Sequence, residues 1–176
     1  YIGTTNPDAI VGWGNNLSFN NFSLTIGIDG RFGGNVISTT QGYLDSFGYS
    51  KRSGDARDAG GVRVDAVDQD GNAVTMVPAQ AWYQGIGNRD GIIEGQVYDG
   101  THFRLREVAL SYRIPVNSNV FKAANIGLVG KNLFFFKNNA PFDPELNTTT
   151  GIGGAGYDNF AIPSIRSFGL DLKLSF

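Results

Sequence analysis

The 176-residue sequence contains no cysteine, a single histidine and no excess of basic side chains, its net charge being −2. Without cysteine the chain cannot form a disulfide, a thiolate metal site or a cysteine nucleophile. One histidine, His102, is too few for a site with several histidine ligands, and we interpret it as an exposed side chain at a strand end. With no basic stripe to neutralise phosphates, the composition argues against a nucleic-acid-binding protein.

Long hydrophobic runs are also missing. The longest, Leu133 to Phe136, has four residues, whereas a membrane-spanning helix needs about 18 or more. This excludes helical spans only, because the strands of a transmembrane barrel alternate apolar and polar residues. The chain is instead rich in glycine and aromatic residues, with 25 Gly, 13 Phe, 7 Tyr and 2 Trp. This composition favours strands and turns over helices.

The last dozen residues, from Ile165 to Phe176, alternate with a strict period of two. Small or charged residues separate the apolar ones, which are Phe168, Leu170, Leu172, Leu174 and Phe176. A strand of this kind needs two different environments. These are either a protein core opposite water, or a lipid bilayer opposite the wet lumen of a barrel.

Four other stretches alternate in a similar way, so we predict five strands. They cover residues of about 9–19, 22–33, 102–114, 125–136 and 165–176. Each run reaches the 9 to 11 residues, roughly, with which a barrel strand crosses a bilayer. Strands of soluble proteins cluster near about 5 or 6 residues.

The connections between these strands alternate between short and long. Residues 20–21 and 116–124 form short links, whereas residues of about 34–100 and 137–163 form long loops. Outer-membrane barrels have short periplasmic turns and long outer loops. We therefore predict an all-β, transmembrane antiparallel β-barrel with two extracellular loops and a periplasmic C-terminus.

The loop of residues 34–100 is too long for an ordinary connection, which makes it a candidate functional loop. It carries Trp82, Tyr83 and Tyr98, and we predict that these aromatic side chains contact substrate. On the strands, we expect several charged residues to face the lumen, where they solvate the inner wall. They are Glu107, Arg113, Lys131, Asp171 and Lys173.

Two acidic motifs have both a functional and a structural interpretation. Residues 68–72 resemble half a calcium loop, but Asp70-Gly71 is a common turn, and we predict a small hairpin over residues 62–77. Asp143-Pro144-Glu145 could hold a catalytic carboxylate pair, but no apolar pocket is indicated that would raise a carboxyl pKa. We interpret it as a structural loop motif, and we predict no catalytic residue, no metal site and no cofactor.

Six short motifs follow one another along nearly the whole chain. They are Asn6-Pro7-Asp8, Asn20 to Leu24, Tyr98 to Val108, Gly130 to Phe134, Phe142 to Glu145, and Pro163 to Gly169 with a terminal phenylalanine. In this order they resemble the C-terminal end of SusC/RagA-type TonB-dependent outer-membrane transporters.

The resemblance implies the last five strands of a barrel of about 22 strands, with the other strands and the plug domain outside this sequence. It also implies uptake of a large solute, such as a glycan or peptide, with energy from TonB. A SusD-like surface lipoprotein is the implied outer partner. The apolar residues of the last strand, Phe168 to Phe176, resemble the signal read by the barrel-assembly machinery.

Five strands cannot close a barrel, because the smallest barrel needs about eight. We therefore expect the chain to pair with strands from outside this sequence, as a fragment of a longer polypeptide or as one piece of a split barrel. The alternative is a secreted, soluble β-sandwich that binds carbohydrate through Trp82 and Tyr83. A hydrolytic enzyme ranks third, for want of a catalytic constellation.

Overall fold

The computed structural model describes residues 3–88, 91–116, 122–146 and 156–175. The chain forms two compact units. We call them the sheet unit (Thr4–Gly34, Asp99–Glu145 and Ile162–Phe176) and the loop unit (Tyr1–Gly3, Asn35–Tyr98 and Leu146–Ala161). Among the described residues, no helix combines the length and the hydropathy that a membrane span requires.

Across the described residues the secondary structure consists mainly of strands, with three short helices. In chain order the elements are β1 (Ala9–Phe19), β2 (Phe22–Phe32), β3 (Asn35–Ser38), α1 (Thr39–Ser46), α2 (Lys51–Asp58), β4 (Val62–Val67), β5 (Ala73–Val77), α3 (Ala79–Gly87), a 3₁₀ turn (Ile93–Gln96), β6 (Val97–Asp99), β7 (His102–Ile114), β8 (Ala123–Asn138), β9 (Tyr157–Asp158) and β10 (Ser167–Ser175).

The sheet unit is built on five strands in the order β1-β2-β7-β8-β10, and every neighbouring pair is antiparallel. These strands lie where the alternating pattern predicts them. β8 extends two residues further at each end than predicted, and β10 begins two residues later. Within the described part of the chain, β1 and β10 each have a strand partner on one side only.

One face of this sheet carries mainly apolar residues, with Asn15 of β1 as a polar exception. The strand register places five leucines side by side in a single row, and these are Leu17, Leu24, Leu110, Leu128 and Leu170. Leu24 is half-buried and the other four are exposed. The large aromatic residues Phe19 and Phe22 flank the β1–β2 turn on the same face and are exposed as well.

The opposite face carries the charged residues that the sequence predicts for the lumen. Glu107 lies opposite Lys131, and Arg113 and Lys173 flank Asn125. Asp171 lies in a row with Gly127 and Ser111. The register thus brings the five predicted lumen residues to one face, the one that does not carry the leucine row.

The loop unit has a different construction. β3 pairs in parallel with β9, and Val36 and Ile37 on β3 are buried. Ser38 caps α1 by accepting a hydrogen bond from the Gln41 backbone N–H at 3.0 Å, and its hydroxyl donates to Asp158 at 2.6 Å. Such a side-chain cap satisfies a donor that the first helical turn leaves without a partner.

The predicted hairpin over residues 62–77 is confirmed as β4 and β5. The Asp68 carboxylate accepts hydrogen bonds from the Asp70 and Asn72 backbone N–H groups at 2.9 and 2.8 Å. The turn interpretation therefore accounts for the acidic motif. The hydrogen bond from the Asn72 side chain contributes most to lowering the pKa of Asp68.

Candidate functional site

The most densely connected side chains of the sheet unit form a cluster on its polar face. A β-bulge in β7 creates the cluster, because Gly27 pairs with Glu107 whereas the next residue, Ile28, pairs with Leu105. Arg106 is therefore an extra residue in the strand. One extra residue reverses the alternation beyond it, so that His102 and Arg104 join the polar face.

Two arginines of this cluster hold the Asp143-Pro144-Glu145 motif. Arg104 donates to Glu145 at 2.6 Å and to Asp143 at 3.3 Å. Arg106 donates to Asp29 of β2 at 2.7 Å and also to Glu145. The guanidinium of Arg104 is nearly inaccessible, at 4% exposure. Multiple charge-assisted hydrogen bonds are what keep such a buried cation stable.

A third segment closes the cluster. The Ser164 hydroxyl accepts a hydrogen bond from Arg104 and donates one to Asp143, and the Ser164 backbone N–H donates to the same carboxylate at 3.1 Å. Asn132 of β8 adds another link, since it accepts from Arg106 at 2.9 Å and donates to the Ile165 carbonyl at 3.1 Å. Both ends of the predicted loop of residues 137–163 are thus fixed to one site.

The prediction that His102 is exposed is wrong. The ring is buried, with 3% exposure. Its Nδ1 lies 2.8 Å from the Gly100 carbonyl, its Nε2 lies 3.5 Å from Glu145, and the Phe135 ring meets it edge-on at 5.8 Å. The physical reason is that a segment some 40 residues further along the chain covers the strand end, which no local pattern around His102 can indicate.

The cluster is suited to holding structure rather than to acid–base chemistry. The contact with His102, followed by the hydrogen bond from Arg106 and the nearby arginine charges, lowers the pKa of Glu145 to about 2, although burial raises it. A carboxyl group with this pKa stays ionised at neutral pH and cannot act as a general acid. This agrees with the interpretation of Asp143-Pro144-Glu145 as a structural motif.

A second buried ion pair organises the loop unit. The Asp45 carboxylate on α1 lies 2.8 Å from Arg52 Nε on α2, and Gln41 donates to it at 2.9 Å. Arg52 also donates to Gln96 at 3.0 Å. Burial raises the pKa of Asp45, but the hydrogen bonds from Arg52, Ser50 and Gln41 outweigh it, so that the pKa lies below its usual value.

The predicted substrate contacts Trp82, Tyr83 and Tyr98 all lie in the loop unit and are half-buried. Tyr83 on α3 donates to the Arg52 carbonyl at 3.2 Å. Burial raises the pKa of Tyr98, and the nearby charge of Arg52 opposes this. The two tyrosines therefore flank Arg52 and support the packing of the unit. A role for any of the three in binding substrate remains a prediction.

Sequence reasoning missed the aromatic residues that the loop unit exposes most. Phe47 and Phe160 are exposed, and both rings lie roughly parallel to Tyr43, at centroid distances of 6.5 and 5.8 Å. Tyr49 is exposed as well. Phe47 and Tyr49 follow α1 directly, and their aromatic character within the long loop of residues 34–100 was the available signal.

The apolar residues predicted as a barrel-assembly signal lie on β10, the edge strand. Phe168, Leu170, Leu172 and Leu174 are exposed on the face of the leucine row. Phe176 lies outside the described residues. Recognition of this strand by the assembly machinery remains a prediction.

Solved structures with this fold are known. The chain superposes on the RagAB peptide importer in its open-open state with a TM-score of 0.67 at 18% identity, covering 98% of this chain and 17% of that one. The closed-closed state gives a TM-score of 0.65 at 17% identity. At this identity the likeness concerns the fold alone.

Two curated proteins of Formosa agariphila are similar in sequence. TonB-dependent receptor P3 is 26% identical and TonB-dependent receptor P26 is 27% identical, each over 186 aligned positions that cover 99% of this chain. The resemblance to TonB-dependent transporters of the SusC/RagA type is confirmed. No family model matches the chain.

The matched proteins are much longer than this chain, which spans 17% and 18% of the two receptors. This is consistent with a C-terminal segment of a SusC/RagA-type protein. The relatives are named as receptors and as an importer, which are transport proteins and not enzymes.

Proposed function

We propose that the chain is the C-terminal wall segment of an outer-membrane, TonB-dependent transporter that imports a large solute. The observation that carries this proposal is the largely apolar face of the sheet unit, with its row of leucines from β1 to β10. The opposite face holds charged residues and the buried arginine cluster. An apolar exterior with a polar interior is the arrangement of a barrel in lipid.

A soluble β-sandwich is the weaker alternative. Such a fold packs the apolar faces of two sheets together, and its leucines become the core. Here Leu128 and Leu170 are 59% and 76% exposed, so no part of the described chain covers them. A continuous apolar surface of this kind marks a membrane or protein interface. Contact with lipid would explain the apolar residues on this face of all five strands.

The two edges of the sheet require partners. An edge strand leaves backbone N–H and C=O groups without a ladder partner, and lipid cannot satisfy them. We infer that β1 and β10 pair with other strands of a barrel of about 22 strands, which surrounds a plug. TonB, the barrel-assembly machinery and a SusD-like surface lipoprotein are the further partners that the resemblance implies.

In this arrangement the turn at residues 20–21 and the C-terminus lie in the periplasm, and residues 34–100 and 137–163 lie outside the cell. Glu107, Arg113, Lys131, Asp171 and Lys173 then face the lumen, and the loop unit lies on the side from which solute arrives. The RagAB importer takes up peptides. For this chain the imported solute is a glycan or a peptide.

The test is the intact mass of the natural polypeptide, measured in denaturant from separated membrane and soluble fractions. We expect a mass several times the 18.9 kDa of this chain, in the outer-membrane fraction and soluble only in detergent. A polypeptide of about 18.9 kDa that purifies without detergent would contradict the proposal and favour the β-sandwich. A chain of that size in the outer membrane would indicate a split barrel.

A further inference from the structure

The loop unit contains an open cavity of about 510 Å³. Its walls are the C-terminal end of α1, the helix α2, and the first half of α3. Ligand pockets in proteins typically measure about 300 to 1,000 Å³, so the cavity is large enough for more than a few water molecules. The aromatic side chain of Tyr83, predicted to contact substrate, lies in its wall.

The floor of the cavity offers no uncompensated charge. Ala79 and Ser53 are buried there, and the Ser53 hydroxyl donates to the Ser50 carbonyl at 2.9 Å. The one buried carboxylate in the wall, Asp45, is already bound by Arg52 and Gln41. A charged ligand would therefore find no buried counter-charge in the described part of this site.

The rim provides neutral hydrogen-bonding groups and an aromatic surface. Gln80 and Gln84 lie one turn apart on α3, on the same side of the helix, and both are exposed. Neither side chain makes a hydrogen bond to another described residue. Phe47, which is 71% exposed, also lines the cavity. Arg57, the remaining charged group of the rim, lies 3.6 Å from Asp58.

These features match the chemistry of a sugar better than that of an ion. A side-chain amide both donates and accepts hydrogen bonds, as do the hydroxyl groups of a sugar, and the C–H face of a pyranose packs well on an aromatic ring. We propose that this cavity binds a neutral carbohydrate, held by Gln80 and Gln84 with one ring against Phe47. Its role as a capture site during uptake rests on the proposed transport function.

The test is calorimetric titration of the full-length transporter in detergent. The probes are maltotetraose, cellotetraose, laminaritetraose and mannotetraose as neutral sugars, with tetragalacturonate and tetraalanine as an acidic sugar and a peptide. We expect binding of at least one neutral tetrasaccharide. The proposal is overturned if no neutral sugar binds, or if only tetragalacturonate or tetraalanine does.

Variants then assign the bound sugar to the cavity. Gln84→Ala should weaken binding about fivefold, the loss of about one hydrogen bond, and Phe47→Ala about tenfold, through the lost aromatic contact. Tyr49→Ala and Gln69→Ala are matched controls, because both side chains are exposed in the loop unit and lie outside the cavity. They should bind as the wild type does. Equal binding by all four variants would overturn the proposal.

The two proposals fail in different ways. A large outer-membrane protein whose sugar binding ignores Phe47 and Gln84 would refute the cavity site and leave the transport function intact. A small soluble protein would refute the transport function, and the same titration of that protein would still decide whether the cavity binds sugar.

Discussion

Replacing Glu145 with glutamine should loosen the loop that this residue anchors to the polar face of the sheet unit. The pKa of Glu145 lies at about 2 instead of its ordinary 4.5, and this difference corresponds to about 3 kcal/mol at about 1.4 kcal/mol per pKa unit. Because the side chain is 29% exposed, solvent screening reduces the expected loss to about 2 kcal/mol. Glutamine keeps the shape of the side chain and removes only its charge.

Hydrogen exchange measured by mass spectrometry on the full-length protein can detect this change locally. The reporters are the backbone amides of Glu145 and Ser164, which donate to Asp143 at 3.0 and 3.1 Å. A loss of about 2 kcal/mol should speed their exchange about 30-fold, because 1.4 kcal/mol is a factor of about ten. Glu94→Gln is the matched control, since Glu94 is exposed in the loop unit. In this variant the exchange of the two reporter amides should not change.

The lowered pKa of Glu145 also predicts how the contact between this loop and the sheet unit depends on pH. A carboxyl group whose pKa is lowered by folding stabilises the folded state at pH values above its pKa in the unfolded chain. It loses that contribution as the pH falls through its pKa in the folded protein. Protection of the two amides, corrected for intrinsic exchange, should therefore persist to about pH 4.5 and decline towards pH 2. Unchanged exchange in Glu145→Gln, or a loss of protection already between pH 7 and 5, would refute this reasoning.

Three further substitutions probe other parts of the chain. Leu172→Arg should lower the amount of protein in outer-membrane fractions, because arginine facing lipid costs about 2 to 4 kcal/mol near the bilayer centre, whereas Asp171→Arg on the opposite face should not. Arg52→Ala should speed proteolysis of α1 and α2, because leaving the Asp45 carboxylate buried without its cation costs about 3 to 5 kcal/mol. Asn132 has a φ of 53°, a backbone conformation that costs alanine about 1 kcal/mol more than glycine. We therefore expect Asn132→Ala to unfold at a lower temperature than Asn132→Gly.

The strands of the sheet unit could be predicted from sequence because the two faces of the sheet have different environments. This difference imposes an alternation of apolar and polar residues along each strand. Leu24, Leu110 and Leu128 show this period as clearly as the final strand does. The helices of the loop unit were harder to predict from the sequence. α2 and α3 have 8 and 9 residues, too few for a persistent helical period. Ser50 caps α2 by accepting a hydrogen bond from the Ser53 N–H, and a serine at this position is a recognisable signal for a helix start. The charged, glycine-rich composition of the segment made this signal hard to recognise.

The arginine cluster could not be predicted, because its members come from five separate stretches of chain. A pattern around Arg104 shows an alternating strand, and only the bulge at Arg106 turns both arginines towards Asp143 and Glu145. In sequence, Arg104 is 39 residues from Asp143 and 60 residues from Ser164. Local periodicity carries no information about contacts of this range.

The cluster also explains how a loop can be fixed to the polar face of the sheet unit. Hydrophobic burial cannot fix the position of a loop on the polar face of the sheet unit, because the apolar groups are on the other side. Charge-assisted hydrogen bonds with fixed geometry do so instead. Since Asp143 and Ser164 bind each other and Arg104, the loop is closed at its base.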